Sequence, residues 1–282
     1  MKVLVSGTSG FIGHHLVKRL EKLDYEVVPM PRYLSLLPSS LGEFVESRKP
    51  DFAIHLASYG NHYFQTEEDI VYRANVEYLF NLLDNLKDKK WLKGFFNFST
   101  THHNLESGTA YGSTKAMGEY LVRSYVAKFG FPAVNIRPYS VYGEYEWDFR
   151  FIPTITREID SRRDITVTPG VAHDWIYVED LIDGLLEVIE KREKLWGKSV
   201  GLGTGKRIPN LEIAKLAMKV IGKKVNILKG KKRQYEIAAY TKTLLERTAN
   251  ERNEIEYFQF VKTPLKEGIR RVWQNPQKHL RR

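Results

Sequence analysis

The sequence predicts an α/β fold, a doubly wound parallel sheet with a smaller C-terminal lobe. Three observations carry that prediction. The chain opens on a strand, a glycine turn and a helix, MKVLVSGTSGFIGHHLVKRL. Short apolar runs then alternate with helical patterns as far as about Tyr142, an order that lays strands in parallel with helices on both faces. Beyond that point the alternation weakens, as in a lobe that closes over the C-terminal edge of the sheet. That edge is where doubly wound folds bind ligands.

Lys2–Ser6 is an apolar run of strand length, and Gly7, Gly10 and Gly13 follow it at three-residue spacing. Ile12, Leu16, Val17 and Leu20 then form one face of a helix. Gly7 permits a tight turn, Gly10 leaves room for a pyrophosphate, and Gly13 lets helix and strand pack closely. The helix N-terminus offers free N–H groups and a positive dipole end to phosphate. The run Gly7, Thr8, Ser9, Gly10, Phe11, Ile12 and Gly13 is therefore the candidate cradle for a dinucleotide.

Residues 25–30 read as the second strand, ended by Pro31 and Arg32, and 41–48 as a short amphipathic helix. Residues 52–57 are a buried strand, and 70–87 carry Ala74, Leu79, Leu82, Leu83 and Leu86 at helical spacing. A strand over 94–99, a long helix over Ala110–Phe129 closed by Gly130, and a strand over 133–137 ended by Pro138 follow. Later helices are expected at 151–161, 180–191, Asn210–Ile221 with Asn210 as its cap, and 264–273, with a short strand at 175–178. Residues 229–253 are polar and unassigned. Residues 1–165 should form the dinucleotide-binding domain, with 172–200 returning to it, and 201–282 mainly the substrate lobe.

A chain of 282 residues suits one large α/β domain with such a lobe. It has no cysteine, which excludes disulfides, thiolate chemistry and a cysteine-ligated zinc. No apolar run approaches the length of a membrane span, and a strand starting at residue 2 leaves no room for a signal peptide, so a cytoplasmic protein without a membrane partner is expected. The net charge of +10 is scattered, with clusters only at 229–233 and at Arg281 and Arg282. That pattern suits a solvated surface or an anionic substrate better than nucleic acid.

Tyr111 and Lys115 stand four apart in YGSTK. On a helix such positions share a face. An ammonium beside a phenol stabilises the phenolate and lowers its pKa from about 10. A tyrosine of that kind exchanges a proton with an alcohol or carbonyl oxygen near neutral pH. The strand before the helix ends in Ser99, Thr100 and Thr101, which bring hydroxyls to the same edge. Proton transfer coupled to hydride transfer is the predicted chemistry. His55 lies inside a buried strand and reads as structural. Asn61, His62, His102 and His103 follow strand ends without a carboxylate in ligand spacing, so sugar-hydroxyl contacts are expected of them and no metal site.

Taken in order, several motifs resemble the extended short-chain dehydrogenase/reductase family over nearly the whole chain. They are Gly7-x-x-Gly10-x-x-Gly13, His55-Leu56-Ala57-Ser58, Asn75, Ser99-Thr100-Thr101, Tyr111-x-x-x-Lys115 and Arg137-Pro138-x-x-Val141-Tyr142-Gly143, then the stretch from His173 to Asp180 and the last helix. The resemblance implies a Rossmann fold and action on nucleotide-linked sugars, as 4-epimerase, 4,6-dehydratase, decarboxylase or 4-keto reductase. It implies that Tyr111 is the acid/base, that Lys115 also holds the nicotinamide ribose, and that Thr101 supplies the third group, with Thr100 the fallback. Leu56, Ala57, Ser58, Asn75, Ser99, Pro138 and Tyr139 would line the cofactor. Tyr59, Asn61, His62, His102, His103, Tyr142, Arg150, His173 and Arg233 are the candidates for substrate binding, and a homodimer is the expected assembly.

Departures from the family pattern narrow the expectation. Arg32 stands where an acidic residue would hold an NAD ribose, which favours NADP(H), with NAD(H) possible. The short stretch between the second strand and the His55 strand resembles the 4-keto-sugar reductases. His102 and His103 replace the Asp-Glu of the dehydratases, and His173 replaces the usual arginine. The expected function is reduction of a 4-keto-6-deoxy sugar nucleotide with NADPH. The alternatives are an NAD-dependent nucleotide-sugar 4-epimerase and a catalytically degenerate dinucleotide-binding module.

Overall fold

A computed structural model describes residues 1–62, 64–101, 109–231 and 256–275. Seven parallel strands form its central sheet: β1 (Lys2–Ser6), β2 (Glu26–Pro29), β3 (Phe52–His55), β4 (Gly94–Phe98), β5 (Ala133–Pro138), β9 (Ser199–Gly203) and β12 (Glu256–Gln259). Their order is β12-β9-β5-β4-β3-β1-β2. The sequence dictates this burial on both faces. Val3, Val5, Phe52, Ile54, Phe96, Val134 and Ile136 point to one face, while Leu4, Ala53, Phe95 and Ala133 point to the other. Two cores result, as the period-two alternation of a strand requires when helices cover both sides. The first takes helices α1 (Phe11–Lys22) and α7 (Val178–Glu190). The second takes α2 (Pro38–Arg48), α4 (Tyr78–Leu86) and α5 (Ala110–Phe129).

The strand registers place a polar row across the sheet just below its C-terminal edge. Ser6 pairs with His55, His55 with Asn97, Asn97 with Asn135, and Asn135 with Ser199. All five are buried. Ser6 Oγ and His55 Nδ1 lie 2.9 Å apart, and Asn97 Nδ2 donates to Asn135 Oδ1 at 2.8 Å. Most buried polar groups are hydrogen-bonded, and here they mark where apolar core gives way to the ligand edge. His55 is held neutral by burial, with its pKa pushed down to about 3, in keeping with a structural role.

The smaller lobe is built from α6 (Phe151–Asp160), β7 (Ile165–Val167), α8 (Asn210–Ile221), β11 (Ile227–Lys229) and α9 (Leu265–Gln274). Helices α6, α8 and α9 pack on one another, and β7 pairs with β11. A three-stranded sheet of β6 (Ser140–Tyr142), β8 (Ala172–Tyr177) and β10 (Arg207–Pro209) joins lobe and core. Two aspartates of the His173–Asp180 motif are structural anchors there. Asp174 accepts hydrogen bonds from the backbone of Thr204 and Gly205, and Asp180 from the backbone of Lys262 and Thr263.

Four expectations need correction. The division at residue 201 is not where the chain leaves the sheet, because β9 and β12 both lie in it, while α6 belongs with the lobe. The helix expected over 70–87 is interrupted. It runs as α3 (Glu68–Tyr72), a π-helical turn at Arg73–Glu77, then α4. The turn carries Asn75 inward, where its side chain ties Tyr59 to Thr114. Asn210 does not cap α8 but opens it after Pro209: its N–H bonds the Val171 carbonyl at 2.8 Å, and its side-chain oxygen accepts nothing from the first turn. The strand expected at 175–178 starts earlier, at Ala172, because β10 pairs with that polar stretch and satisfies its backbone.

Candidate active site

The glycine loop meets the requirements of a pyrophosphate cradle. Gly7 has φ +77, the left-handed region that a side chain resists. A Cβ on Gly13 would lie 2.2 Å from the Gly7 carbonyl oxygen, so only glycine lets α1 start this close to the turn. At Gly10 a Cβ would meet only that same oxygen, at 3.3 Å, a tight approach but one a small shift relieves. Helix α1 starts immediately after Gly10, and among the described residues no side chain caps it. The first-turn N–H groups of Phe11, Ile12 and Gly13 are therefore left for a ligand. Thr8 is half-buried and Ser9 exposed at the rim. The adjacent strand end follows closely, with Leu56 N–H on the Ser6 carbonyl and Ala57 N–H on Ser6 Oγ at 3.1 Å. Met30 N–H bonds the Val5 carbonyl at 2.9 Å, and exposed Arg32 follows two residues later, past the end of the neighbouring strand β2. The helix is fixed from behind, since the His15 ring bridges Glu179 Oε1 and the Glu144 carbonyl, each at 2.8 Å. These residues fit an NAD(P) dinucleotide.

Across the same edge stands Tyr111, in the first turn of α5. Thr109 caps that helix by accepting the Gly112 N–H at 3.2 Å. The hydroxyls of Thr100 and Ser58 lie beside the Tyr111 phenol, and the Arg150 guanidinium faces it; all three favour its ionised form. Burial outweighs all three and holds the phenol above its ordinary value. Lys115, one turn further along α5 and 5% exposed, donates to the Phe98 carbonyl. Burial draws its ammonium down to about 8, and Glu119 opposes that shift.

The expected lowering of the phenol is overturned. The phenol is raised rather than lowered, because burial outweighs the cation that faces it; that cation is Arg150, the lysine ammonium being held on the Phe98 carbonyl. Of the two candidate threonines, Thr100 is the one beside the phenol. The strand ends at Phe98, so Ser99 and Thr100 are buried against the site while Thr101 sits at a half-buried bend.

Further residues fall into distinct places. Asn75 spends both amide hydrogens on Tyr59 and Thr114, so it fixes the loop after β3 instead of offering donors to a cofactor. Pro138 ends β5, and the Tyr139 N–H bonds the Leu202 carbonyl at 3.0 Å, which sets both at the sheet edge. Tyr59 points its hydroxyl to Glu67 at 2.9 Å, and Asn61 is exposed. His62 stacks on Phe64 with ring centroids 5.4 Å apart and meets Trp147 and Phe149 edge-on. Tyr142, expected at the substrate, is 1% exposed and belongs to the core, packed edge-on against Trp175 and Tyr177 under α9. His173 lies in β8 with its ring edge-on to Trp175. His102, His103 and Arg233 lie outside the described residues.

Sequence reasoning passed over Glu119, Glu146 and the aromatic residues Phe64, Trp147 and Phe149. Glu146 is buried beside Arg150, with its Oε1 3.4 Å from the Arg150 Nε, and burial pushes its carboxyl up to about 7. The spacing of Glu119 from Lys115, again four residues, was the available signal for the first; the crowding of Glu, Trp and Phe before α6 was the signal for the rest.

Residues 3–203 match the NAD dependent epimerase/dehydratase family. The chain is 25% identical over 265 residues to dTDP-D-glucose 4,6-dehydratase of Dictyostelium discoideum, covering 76% of this chain and 61% of that protein. It is 26% identical over 273 residues to an uncharacterized UDP-glucose epimerase, YtcB, of Bacillus subtilis, covering 80% and 84%. CDP-abequose synthase of Salmonella typhimurium is 29% identical over 228 residues, covering 72% and 76%. Among solved structures, RMD from Pseudomonas aeruginosa complexed with NADPH superimposes with a TM-score of 0.79 at 20% identity, covering 97% of this chain and 98% of that one. The Thermus thermophilus UDP-glucose 4-epimerase complex with NAD gives 0.76 at 18% identity, covering 98% of each. At such identities the likeness speaks for the fold alone. With the glycine cradle, the Tyr111–Lys115 helix and the family match in agreement, the chain belongs to the NAD dependent epimerase/dehydratase family, within the extended short-chain dehydrogenase/reductases.

Proposed function

We propose that this protein is an NADPH-dependent reductase of a 4-keto-6-deoxy sugar nucleotide. The observation that carries the reading is the Tyr111 phenol, set beside Thr100 and Ser58 at the sheet edge that also carries the glycine cradle. When bound there, NADPH supplies a hydride to the keto carbon. Tyr111 gives the matching proton to the keto oxygen, so that carbonyl becomes alcohol. Thr100 and Ser58 stand beside the phenol, and Lys115 lies below to hold the nicotinamide ribose. Arg150 faces the phenol and favours its ionised form once the proton has left. Arg32 past the end of β2 supports NADPH by offering a guanidinium to a 2′-phosphate. The similarity to CDP-abequose synthase supports a nucleotide-linked sugar as substrate.

A 4-epimerase is the second reading, supported by the similarity to the Bacillus subtilis protein described as a UDP-glucose epimerase. A degenerate binding module fits less well, because both Tyr111 and Lys115 are in place. The protein acts in the cytoplasm as a homodimer in this proposal. Exposed Phe80, Met117 and Tyr120 on α4 and α5 give a second copy an apolar surface, and among the described residues no helix is long and apolar enough to cross a membrane.

The test is incubation with dTDP-4-keto-6-deoxyglucose and NADPH. Loss of absorbance at the nicotinamide band with a product two hydrogens heavier is the expected result, abolished in Tyr111→Phe with NADPH affinity nearly intact. Interconversion of UDP-glucose and UDP-galactose without net NADPH loss would replace the reductase by the epimerase.

A further inference from the structure

Four rings gather where the loop after β3 meets the loop before α6. His62 stacks on Phe64 with centroids 5.4 Å apart, and Trp147 stacks on Phe149 at 5.6 Å. The two pairs meet edge-on, His62 against Trp147 at 5.5 Å and against Phe149 at 5.2 Å, and Phe64 against Phe149 at 5.5 Å. The cluster is not core, since Phe64 is 48% exposed and the other three rings are half-buried. Ligand sites are lined in this way, by apolar and aromatic side chains left open at a cleft. Both loops also border Tyr111. A Cβ on Gly60, two residues before His62, would lie 3.4 Å from the Tyr111 Cβ. The Asn75 amide bonds the Tyr59 backbone and Thr114 Oγ1, and that hydroxyl donates to the Tyr111 carbonyl at 3.1 Å. On the other side, Phe149 directly precedes Arg150, the cation that faces the phenol. The rings are set in advance. Gln65 Oε1 accepts from the Gly60 and His62 N–H groups at 3.0 and 3.2 Å, and the Arg150 N–H bonds the Trp147 carbonyl at 2.9 Å.

We propose that His62, Phe64, Trp147 and Phe149 form a specificity wall for the C5–C6 end of the sugar, one that selects a 6-deoxy sugar over its 6-hydroxyl counterpart. The inference rests on the reading of Tyr111 as proton donor to the oxygen at C4. That carbon has two ring neighbours. C3 carries a hydroxyl, and C5 carries C6, which in a 6-deoxy sugar is a methyl group. A wall of rings beside the reacting carbon suits the methyl-bearing side. Ring faces and edges give a methyl group dispersion contacts, whereas a hydroxyl pressed against them loses its water and gains no partner. His62 joins the wall as a ring, its Nδ1 buried within the cluster. The selection is moderate, because an apolar surface rejects an added hydroxyl by about a hundredfold at most. Its gain comes cheaply, since rings already fixed against one another lose little freedom when the sugar arrives.

The test compares ligands that differ at C6 alone. Calorimetry on the NADPH-bound protein measures 6-deoxyglucose and glucose, each linked to dTDP, CDP, UDP or GDP, and the base that binds tightest is carried forward. Neither sugar has a keto group, so neither turns over with NADPH. The 6-deoxy ligand should bind about ten- to a hundredfold tighter. Phe149→Ser opens the wall to water and should bring that ratio within about threefold, chiefly by weakening the 6-deoxy ligand. Phe64→Ser, at the exposed end of the cluster, guards against a folding defect in the first variant and should also narrow the ratio. A merely structural role lowers both affinities alike and leaves the ratio where it was. Binding of the 6-deoxy ligand should also change the tryptophan emission, a change lost in Trp147→Phe. Equal affinities in wild type, or a ratio that survives in both folded serine variants, overturns the wall and leaves the nucleotide-sugar reading standing. If no nucleotide sugar of either kind binds, the functional reading falls and the wall falls with it.

Discussion

Gly10→Ala separates the ligand role of the glycine loop from its structural role. An alanine Cβ there would meet only the Gly7 carbonyl oxygen, at 3.3 Å, which asks for a shift of a few tenths of an ångström. The backbone of Gly10 has φ -80 and ψ 171, a conformation open to any residue. Alanine is a poorer N-cap than glycine, so the stability cost is set at about 0.5–1 kcal/mol. For a chain of this size that is a fall in Tm of about 1–2 °C. The new methyl group occupies the side from which a pyrophosphate would approach the N–H groups of α1. Losing even two charge-assisted hydrogen bonds there costs about 3 kcal/mol or more, a fall of at least a hundredfold in dinucleotide affinity. Gly13→Ala makes the contrast, since its Cβ at 2.2 Å from backbone oxygen forces the turn open and should lower the Tm much further. Thermal unfolding followed by circular dichroism, with calorimetric NADPH titration of the folded Gly10→Ala protein, measures both quantities. Wild-type NADPH affinity in a folded Gly10→Ala protein would refute the placing of the pyrophosphate.

Thr100→Val should cut turnover by about tenfold or more by removing the hydroxyl beside the phenol, while Thr101→Val leaves most of it, as steady-state rates with the keto-sugar nucleotide will report. Arg32→Ala should weaken NADPH binding by about ten- to a hundredfold and leave NADH binding nearly unchanged, which calorimetry with both cofactors checks. His55 is neutral in the folded state with its pKa near 3, against 6.5 when unfolded, so the unfolded chain binds more protons between those values. Its contribution to stability is therefore complete above pH 6.5 and is lost as pH falls from 6.5 towards 3, by a few kcal/mol at most (roughly 1.4 for each unit). Urea unfolding across that range should show the decline, and His55→Gln should flatten it.

What the sequence made legible was local. The strand, turn and helix of residues 1–22 lie together in the chain, and each side chain's role there follows from neighbours a few positions away. The same holds for the long helix over Ala110–Phe129, with Thr109 before it and Gly130 after it. The second return of the chain to the sheet was not legible. Residues 256–259 pair with β9, yet they follow a polar stretch in which no hydrophobic period marks a strand. The π-helical turn at Arg73–Glu77 was hidden for a different reason. Helical spacing of apolar residues continues on both sides of it, and the extra residue in the turn is set by the bonds that Asn75 makes to Tyr59 and Thr114, one of them from another helix.

At the site, residue identity was legible and residue electrostatics were not. The four-residue spacing of Tyr111 and Lys115 puts them on one face of α5, but whether an ammonium reaches a phenol depends on what else competes for it. Here the Phe98 carbonyl at the end of β4 takes the lysine proton donor, because helix α5 packs against the strand that precedes it. The choice between Thr100 and Thr101 turned on the same strand end. Alternation along a strand fixes which side a residue faces only when its last paired residue is known, and β4 stops at Phe98, with the Ser99 N–H on the Ile136 carbonyl at 2.7 Å. The cation that faces the phenol comes from Arg150, at the start of a lobe helix thirty-nine residues beyond Tyr111 in sequence. A substituent of the lobe thus enters the electrostatics of a group on the sheet edge, and Arg150 in turn leans on the buried Glu146 carboxyl. The acidity of Tyr111 is a property of how lobe and sheet meet, which no spacing within α5 records.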